Sequence, residues 1–114
     1  MDDCIFCKII KGEIPCRKVY EDEAVLAFDD IHPMSPIHVV LIPKRHVPTL
    51  LDLAPSEDDL PRHLIQGVQA VARIKGLDRN GFRMVINCME DGGQVVFHLH
   101  CHILGGQRLK DDLA

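Results

Sequence analysis

The chain has 114 residues, of which 46% are hydrophobic and 26% charged, and its formal net charge at pH 7 is −4. This length predicts a single domain over residues 1–114, and the composition is typical of a globular protein and excludes a disordered or low-complexity chain. The acidic balance, with no Lys/Arg run longer than two residues, argues against a nucleic-acid partner but leaves room for a single nucleotide.

No targeting or membrane-spanning segment is visible. Residues 1–7 lack the basic and apolar regions of a signal peptide, and no stretch is long enough to span a bilayer. We therefore expect a cytoplasmic protein without a membrane partner. The five cysteines are then expected to be reduced thiols or metal ligands, and only Cys4 and Cys7, a Cys-x-x-Cys pair, need a separate explanation. The others are expected to be plain core or surface thiols: Cys16, Cys88 and Cys101.

The first part of the chain predicts a short helix and a hairpin. Apolar residues in segment 5–10 recur at helical spacing, and Gly12 ends that helix. Segments 18–22 and 24–29 carry β-branched and aromatic residues on either side of a polar turn, which is typical of two paired strands.

The middle of the chain predicts a loop, a buried strand and the one long helix. Segment 31–36 contains two prolines and is expected to be a loop, whereas segment 38–43 is apolar and is expected to be a strand. An N-cap at Asp59 places Pro61 in the first turn of the helix, and Gly76 ends it. The helix has an apolar stripe formed by Leu60, Leu64, Val68 and Val71 or Ala72.

The last part predicts two further strands. Segment 82–87 alternates as a strand, segment 90–94 forms a turn, and segment 96–104 is the last strand. Because successive strands can pair through short connections, we expect an α+β fold with an antiparallel sheet of about five strands, one long helix and one short helix.

Segment 98–102 reads His-Leu-His-Cys-His. Because side chains in a strand alternate between its faces, the three imidazoles are predicted to share one face and the apolar residues the other. The apolar face belongs to the core, so the histidines face a cleft or solvent. This pattern predicts an active site.

Two kinds of chemistry fit three imidazoles on one face: a catalytic metal, or a nucleophile with its proton-transfer partners. Same-face neighbours in a strand lie about 7 Å apart along the chain, so three of them converge on one tetrahedral ion only awkwardly. Imidazoles that titrate near neutrality suit a nucleophile flanked by donors to phosphate oxygens. We therefore favour attack by a histidine on phosphorus.

Segment 98–104 resembles the His-φ-His-φ-His-φ-φ signature (φ, apolar) of the histidine triad nucleotide-binding family. Further segments resemble family landmarks in the same order along nearly the whole chain: 5–10 with 13–15, 26–28 with 30–31, 38–46, 83–87 and 92–94. The ending 103–106, Ile-Leu-Gly-Gly, is similar to the nucleoside phosphoramidase branch. That branch implies a homodimer whose two sheets join into one.

The resemblance implies that His100 is the nucleophile, forming a covalent nucleotidyl-imidazole that water then hydrolyses without a catalytic cofactor. His38 and His102 complete the polar row beside it. A neutral imidazole attacks phosphorus well, and the phosphorylated ring is then a good leaving group.

The resemblance also implies a purine nucleotide pocket. Asn87 and the backbone at Gly93 and Val95 would hold phosphate oxygens, and Asp30 would accept the ribose hydroxyls. An apolar slot for the purine ring would be lined by Ile5, Phe6, Ile9, Phe28 and Ile31.

Cys4 and Cys7 need two more ligands to close a structural zinc site, and His46 is the best candidate among the histidines outside the triad. The family has a zinc-bearing branch with this N-terminal pair, and the resemblance implies that His98 is the fourth ligand. The alternative is a metal-free pair of reduced cysteines.

The sequence departs from the family pattern at two places. Val95 stands where the family usually has Ser or Thr, whose hydroxyl can support the leaving group; protonation of the departing amine would then be slower or depend on His102. The tail 107–114 also differs from relatives whose C-terminus ends in an aromatic residue and prolines near the partner's site, which bears on leaving-group selectivity.

These features predict a hydrolase of purine nucleoside 5′-phosphoramidates that releases a nucleoside monophosphate and an amine. One alternative is hydrolysis of dinucleoside polyphosphates, or nucleotidyl transfer, by the same nucleophile. The other is a nucleotide-binding regulatory dimer with incidental activity, which Val95 favours.

Overall fold

The computed structural model describes residues 3–111, so residues 1–2 and the end of the divergent tail, 112–114, lie outside the described residues. Its elements are α1 (Ile5–Ile10), β1 (Lys18–Glu21), β2 (Val25–Asp29), β3 (Ile37–Pro43), α2 (Leu60–Ile74), β4 (Arg83–Val85) and β5 (Cys101–Gly105), with short 3₁₀ turns at Leu50–Asp52 and Glu90–Gly92. The strands form one antiparallel sheet in the order β1-β2-β3-β5-β4. This confirms the predicted α+β class, with five strands, one long helix and one short helix. Within residues 3–111 neither helix is long and apolar enough to cross a membrane.

The long helix begins and ends where its flanking residues predict. Asp59 occupies the N-cap position but has helical backbone angles, and its side chain makes no capping bond. The Leu60 N–H is bound instead by the carboxylate of Asp58, at 2.9 Å. Pro61 lies in the first turn, and Gly76, with φ +71°, follows the last turn.

β2 and β3 are apolar at nearly every position, and a helix packs against the sheet on each of its two faces. One face packs against α2, with Val25, Val39, Leu41 and Ile103 in that core. On this side Gly67 allows close packing, since a Cβ there would lie 3.1 Å from a methyl group of Leu41. On the opposite face, α1 packs through Phe6, Ile9 and Ile10 on a smaller cluster formed by Leu26, Phe28, Val40 and Ile42.

The last strand is shorter than segment 96–104, because residues 96–100 lie outside the sheet. The backbone there is held by the loop after β3: the Leu99 N–H donates to the Val47 carbonyl at 2.6 Å. The alternation of side chains nevertheless persists, since Leu99, Cys101 and Ile103 all belong to the core beneath α2. The apolar face is therefore as predicted, but only His100 and His102 line a cavity, whereas His98 is fully buried, contrary to the prediction that all three histidines face a cleft or solvent.

The strand predicted over 82–87 is also shorter, spanning Arg83–Val85. Its last paired residue, Val85, lies opposite His102. In the same register Ile86 lies opposite Cys101, the first residue of β5, and Asn87 would lie opposite His100, which is outside the sheet, so the pairing ends there.

Candidate active site

A cavity of about 320 Å³ lies between α1, the sheet and the loop after β4. His100 and His102 line it, as do all nine residues predicted to bind nucleotide: Ile5, Phe6, Ile9, Phe28, Asp30, Ile31, Asn87, Gly93 and Val95. His38 is not among the lining residues and reaches the cavity only through His102.

Six further residues line the cavity without having been assigned to it from the sequence: Ile14, Pro15, Cys16, Asp29, Val40 and Val96. The sequence could have predicted that Val40 lines the cavity, because Val40 lies two residues after His38 and therefore on the same face of β3. The sequence predicts only a plain thiol at Cys16, because nothing in the local sequence indicates that the segment after α1 returns to the cavity wall.

The proton position on His100 is fixed by its backbone. Its Nδ1 lies 2.7 Å from the carbonyl oxygen of His98, which can only accept, so Nδ1 carries the proton. Burial lowers the pKa of His100, although the bond to the His98 carbonyl opposes this shift. The ring is therefore neutral at pH 7, and Nε2 has the free lone pair. The ring of Phe6 packs edge-on against it, with centroids 5.1 Å apart.

A second chain of hydrogen bonds fixes His102. The Met34 N–H donates to Nδ1 of His38 at 3.0 Å, so the proton of neutral His38 is on Nε2. That Nε2–H donates to Nδ1 of His102 at 2.9 Å, which leaves the proton of His102 on its Nε2. Burial, reinforced by His100 and His38, lowers the pKa of His102 to about 4. His102 is thus a neutral hydrogen-bond donor in the cavity wall.

Asp30, His38 and His102 are close enough to suggest a metal site, but the hydrogen bonds argue against one. The Nε2 atom of His38 lies 3.5 Å from the Asp30 carboxylate. A metal on that Nε2 would require a proton on Nδ1, where the Met34 N–H already points. We interpret this group as a hydrogen-bonded relay.

Cys4, Cys7, His46 and His98 lie close enough together to bind a metal. The Nδ1 atoms of His46 and His98 are 3.2 Å apart, the Cys7 sulfur lies 3.3 Å from the first and 3.6 Å from the second, and the Cys4 sulfur lies 3.4 Å from the second. A tetrahedral zinc with ordinary bond lengths has N–N edges of about 3.4 Å and S–N edges of about 3.6 Å. The donor set and its spacing therefore fit zinc.

The orientation of His98 also suits a ligand. Its Nε2 lies 2.8 Å from the Pro43 carbonyl, so this nitrogen donates and Nδ1 keeps the lone pair that faces the cysteines. The side chain is fully buried. His98 and His102 thus belong to different clusters, and His100 belongs to neither, which agrees with the expectation that the three histidines do not share one ion.

The loop after β4 is held by a buried glutamine. Gln94 accepts the Met89 N–H at 2.7 Å and donates to the carbonyls of Pro48 at 2.8 Å and Val96 at 3.0 Å. Asn87 closes the loop from inside by donating to the Gly92 carbonyl at 2.7 Å. One amide hydrogen of Asn87 remains for a ligand. The loop brings Gly93, with φ +79°, and Val95 to the cavity.

Met89 is strained within this loop. It is the only non-glycine residue with positive φ among residues 3–111, at φ 60° and ψ −173°, a region that costs about 1–3 kcal/mol for residues other than glycine.

We expect Met89→Gly to raise the free energy of unfolding by about 1 kcal/mol, since glycine relieves the strain but adds entropy to the unfolded chain. Urea denaturation measures this change. The control is Met34→Gly at an exposed position without positive φ, which should be neutral or destabilising; equal destabilisation by both variants would contradict the strain.

Comparison with known proteins shows the family to which this chain is similar. A family model described as HIT domain matches residues 11–109. Protein HitA of Neisseria gonorrhoeae is 47% identical over 105 residues, covering 92% of this chain and 97% of the relative. The purine nucleoside phosphoramidase of Escherichia coli K12 is 38% identical over 113 residues, covering 99% and 95% of the two chains. A HIT family hydrolase from Legionella pneumophila has a crystal structure that superposes with a TM-score of 0.91 at 40% identity, covering 96% of this chain and 98% of that one.

Proposed function

This chain belongs to the HIT domain family, and on that premise we propose that it hydrolyses purine nucleoside 5′-phosphoramidates through a nucleotidyl intermediate on His100. The observation that carries the proposal is the state of His100: buried, neutral, protonated on Nδ1 and unprotonated on Nε2, in the wall of a nucleotide-sized cavity. This is the state that a nitrogen nucleophile requires. The phosphoramidase among the relatives supports the choice of substrate.

The reaction has two displacements at phosphorus. In the first, the Nε2 lone pair forms the N–P bond; the P–N bond of the substrate breaks, and the departing nitrogen keeps that electron pair and takes a proton from water at the cavity mouth. In the second, a water oxygen bonds to phosphorus, its proton returns to solvent and the N–P electron pair returns to His100. The products are a nucleoside monophosphate and an amine.

The other polar groups position the phosphate. The Nε2–H of His102 donates to a phosphate oxygen or to the leaving nitrogen, and it stays oriented because His38 donates to the opposite side of its ring. Because burial, reinforced by His100 and His38, lowers the pKa of His102 and keeps it neutral, His102 donates a hydrogen bond and does not store a proton. Asn87 and the backbone at Gly93 and Val95 bind the remaining phosphate oxygens.

The nucleoside occupies the rest of the cavity. Asp30 accepts the ribose hydroxyls; its other oxygen is already fixed by the His32 N–H at 2.8 Å. The purine ring lies in the apolar slot of Ile5, Phe6, Ile9, Phe28 and Ile31, the kind of lining that binds flat aromatic ligands.

We also propose that Cys4, Cys7, His46 and His98 hold a structural zinc ion. When bound, the ion would link α1, the loop after β3 and the segment before β5. Four protein ligands complete a tetrahedral shell, so the ion supplies cross-linking and no open coordination position. A reducing cytoplasm, where we expect the protein to act, keeps both cysteines available as ligands.

The sheet leaves β4 as an edge strand, and we propose that a second copy of the chain pairs there to form a homodimer. Phe82 and Met84 are exposed on this edge, whereas the opposite edge strand, β1, begins and ends with charged residues.

Light scattering should therefore give a mass of about twice the 12.8 kDa of one chain. Met84→Asp should shift it toward the monomer, and Ile74→Asp, on exposed α2 surface, should not; a monomeric wild type would contradict the proposal.

The substrate is tested with adenosine 5′-phosphoramidate and diadenosine tetraphosphate, offered separately to the purified protein. We expect release of adenosine monophosphate from the phosphoramidate. Turnover of the tetraphosphate alone would instead favour a polyphosphate hydrolase. Tight binding of adenosine monophosphate with every phosphoramidate left intact would favour a regulatory nucleotide-binding dimer.

A further inference from the structure

A cavity of about 540 Å³ lies at the end of the sheet where β3 begins and β5 ends. Its floor includes Ile37 and Leu77, which pack in the core beneath α2. A smaller cavity of about 180 Å³ adjoins it. Within the described residues, neither cavity shares a lining residue with the nucleotide cavity. They therefore form a separate candidate site.

Two turns form one wall of the larger cavity, the first directly after α2 and the second before β4. Gly76 and Gly81 lie in these turns with φ of +71° and +99°, and no atom lies within 4 Å of the position that their Cβ would take. A ligand can therefore approach the backbone closely. All of these residues lie outside β4, so the cavity does not depend on the edge where a second copy is proposed to pair.

The charge at this end of the molecule is opposite in sign to that of the whole chain. Segments 73–83 and 105–111 contain two Asp and six Lys or Arg, a local net charge of +4 in a chain of −4; the six cations are Arg73, Lys75, Arg79, Arg83, Arg108 and Lys110. Among residues 3–111, neither cavity has an Asp or Glu in its lining, whereas the nucleotide cavity has Asp29 and Asp30. A concave surface with one sign of charge attracts ligands of the opposite sign.

Lys75 and Arg108 are the two cations that line the larger cavity. The Nζ atom of Lys75 lies 3.0 Å from the Asp29 carboxylate, which takes one of its three donors. Arg108 lies 3.4 Å from Asp111, and both side chains are 85% exposed. Since an exposed ion pair of this kind contributes little to stability, the guanidinium can exchange Asp111 for the anion of a ligand. Both cations are therefore available for binding.

We propose that this cavity binds a small organic anion with at least two phosphate groups. Its volume is typical of a metabolite site and exceeds what a single ion requires. Arg108 can bind one phosphate through two parallel hydrogen bonds, and Lys75 supplies the second charge. The amides of Asn80 and Gln107, which also line the cavity, donate to the remaining oxygens. This binding is independent of the reaction at His100.

Amide NMR spectra of the full-length protein, purified with its metal, can report the two cavities separately. Gly76, Gly81 and Gly106 line the proposed anion site, and Gly93 lines the nucleotide cavity. Adenosine monophosphate is kept at saturation, so that the probes do not compete for the nucleotide cavity. The probes are fructose 1,6-bisphosphate, ATP and inorganic phosphate, with fructose as the neutral control.

We expect fructose 1,6-bisphosphate or ATP to shift the amide signals of Gly76, Gly81 and Gly106 and to leave Gly93 unchanged. The affinity should exceed that for inorganic phosphate by at least about tenfold, because a second charged contact is made. A response to fructose 1,6-bisphosphate alone would identify a sugar bisphosphate, and a response to ATP alone would identify a nucleoside polyphosphate. Fructose should shift none of these signals.

The variants are Arg108→Gln and Lys75→Gln, with Lys110→Gln as the matched control. Lys110 belongs to the same basic end but lines neither cavity. Each of the first two changes should weaken binding about tenfold, since one charged contact is lost. The control should stay within about twofold, because its charge acts only through screened solvent. Arg108 is exposed, so its replacement tests the site even if Lys75→Gln, which leaves Asp29 unpaired, lowers stability.

Three results would overturn the proposal. The first is the absence of any shift at the three glycines with both phosphate compounds. The second is equal weakening by Arg108→Gln and Lys110→Gln, which would show a diffuse attraction by charge. The third is inorganic phosphate that binds as tightly as the larger anions, which would show a site for a single ion. Because no turnover is measured, the phosphoramidase function stands or fails separately.

Discussion

Replacing His100 with alanine will lower kcat/KM for adenosine phosphoramidate by at least about 10³-fold, the scale of loss for a covalent nucleophile. Among residues 3–111, the variant lacks the one ring in the cavity wall that has an unprotonated Nε2 and a proton held on Nδ1 by a backbone carbonyl. His102 cannot take over, because its Nδ1 is bound by His38 and its Nε2 carries the proton. Steady-state assays of adenosine monophosphate release measure the loss.

A trapping experiment identifies the atom attacked. Quenching wild-type protein and phosphorus-labelled substrate in alkaline denaturant should leave label on the chain, in a bond that is stable to base and is lost on later acid treatment, as expected for a phosphorylated imidazole. The label should be absent from His100→Ala. His63→Ala, on α2 and outside the cavity, is the matched control and should retain both label and rate. Label on the alanine variant, or full activity without His100, would refute a His100 intermediate.

Side-chain periodicity was sufficient to predict which face of the chain carries the histidines. The two-residue alternation of segment 98–103 places Leu99, Cys101 and Ile103 in the core even where the backbone has left the sheet. This is because the apolar side chains need burial whether or not the strand is paired. The fold class was predictable from the same periodicity of apolar residues. The ends of α2 were predictable for a different reason, because Pro61 and Gly76 act on the backbone locally.

The starting point of β5 was not predictable, because it depends on contacts distant in sequence. The Leu99 N–H is taken by the Val47 carbonyl and the His98 ring by the Pro43 carbonyl, more than 50 residues away in each case. The bond from the Met34 N–H that sets the tautomer of His38 comes from a loop. Backbone groups carry no residue-type signal, so no sequence motif indicates these partners.

The loop after β4 is an intermediate case. The Gly-Gly-Gln triplet marks a tight turn in the sequence, and the glycine supplies the positive φ that the turn requires. That Gln94 is buried and reaches Pro48 could be learned only from the structure. A polar side chain with three hydrogen bonds fixes the loop more firmly than its composition suggests.

The second large effect is expected at the metal cluster. Protein purified without added metal should contain about one zinc per chain, and Cys7→Ala should lower this to well below one. The variant should lose at least about 3 kcal/mol of unfolding free energy, because a four-ligand cross-link between distant segments is removed. Elemental analysis and denaturant unfolding measure the two changes. Cys88→Ser, a thiol outside the cluster, is the control and should keep both metal and stability.

The cluster should also influence the nucleophile, although it touches no substrate. The residue that supplies its most buried ligand, His98, also supplies the carbonyl that holds the proton on Nδ1 of His100, and its ring is tied to Pro43. Loosening His98 frees that carbonyl, so the other tautomer of His100, with Nε2 protonated, gains population and the rate falls. We therefore expect Cys7→Ala to lower the rate of labelling of His100 while leaving the affinity for adenosine monophosphate nearly unchanged. Metal-free protein with wild-type stability and labelling rate would show that the four residues are reduced side chains without a structural ion.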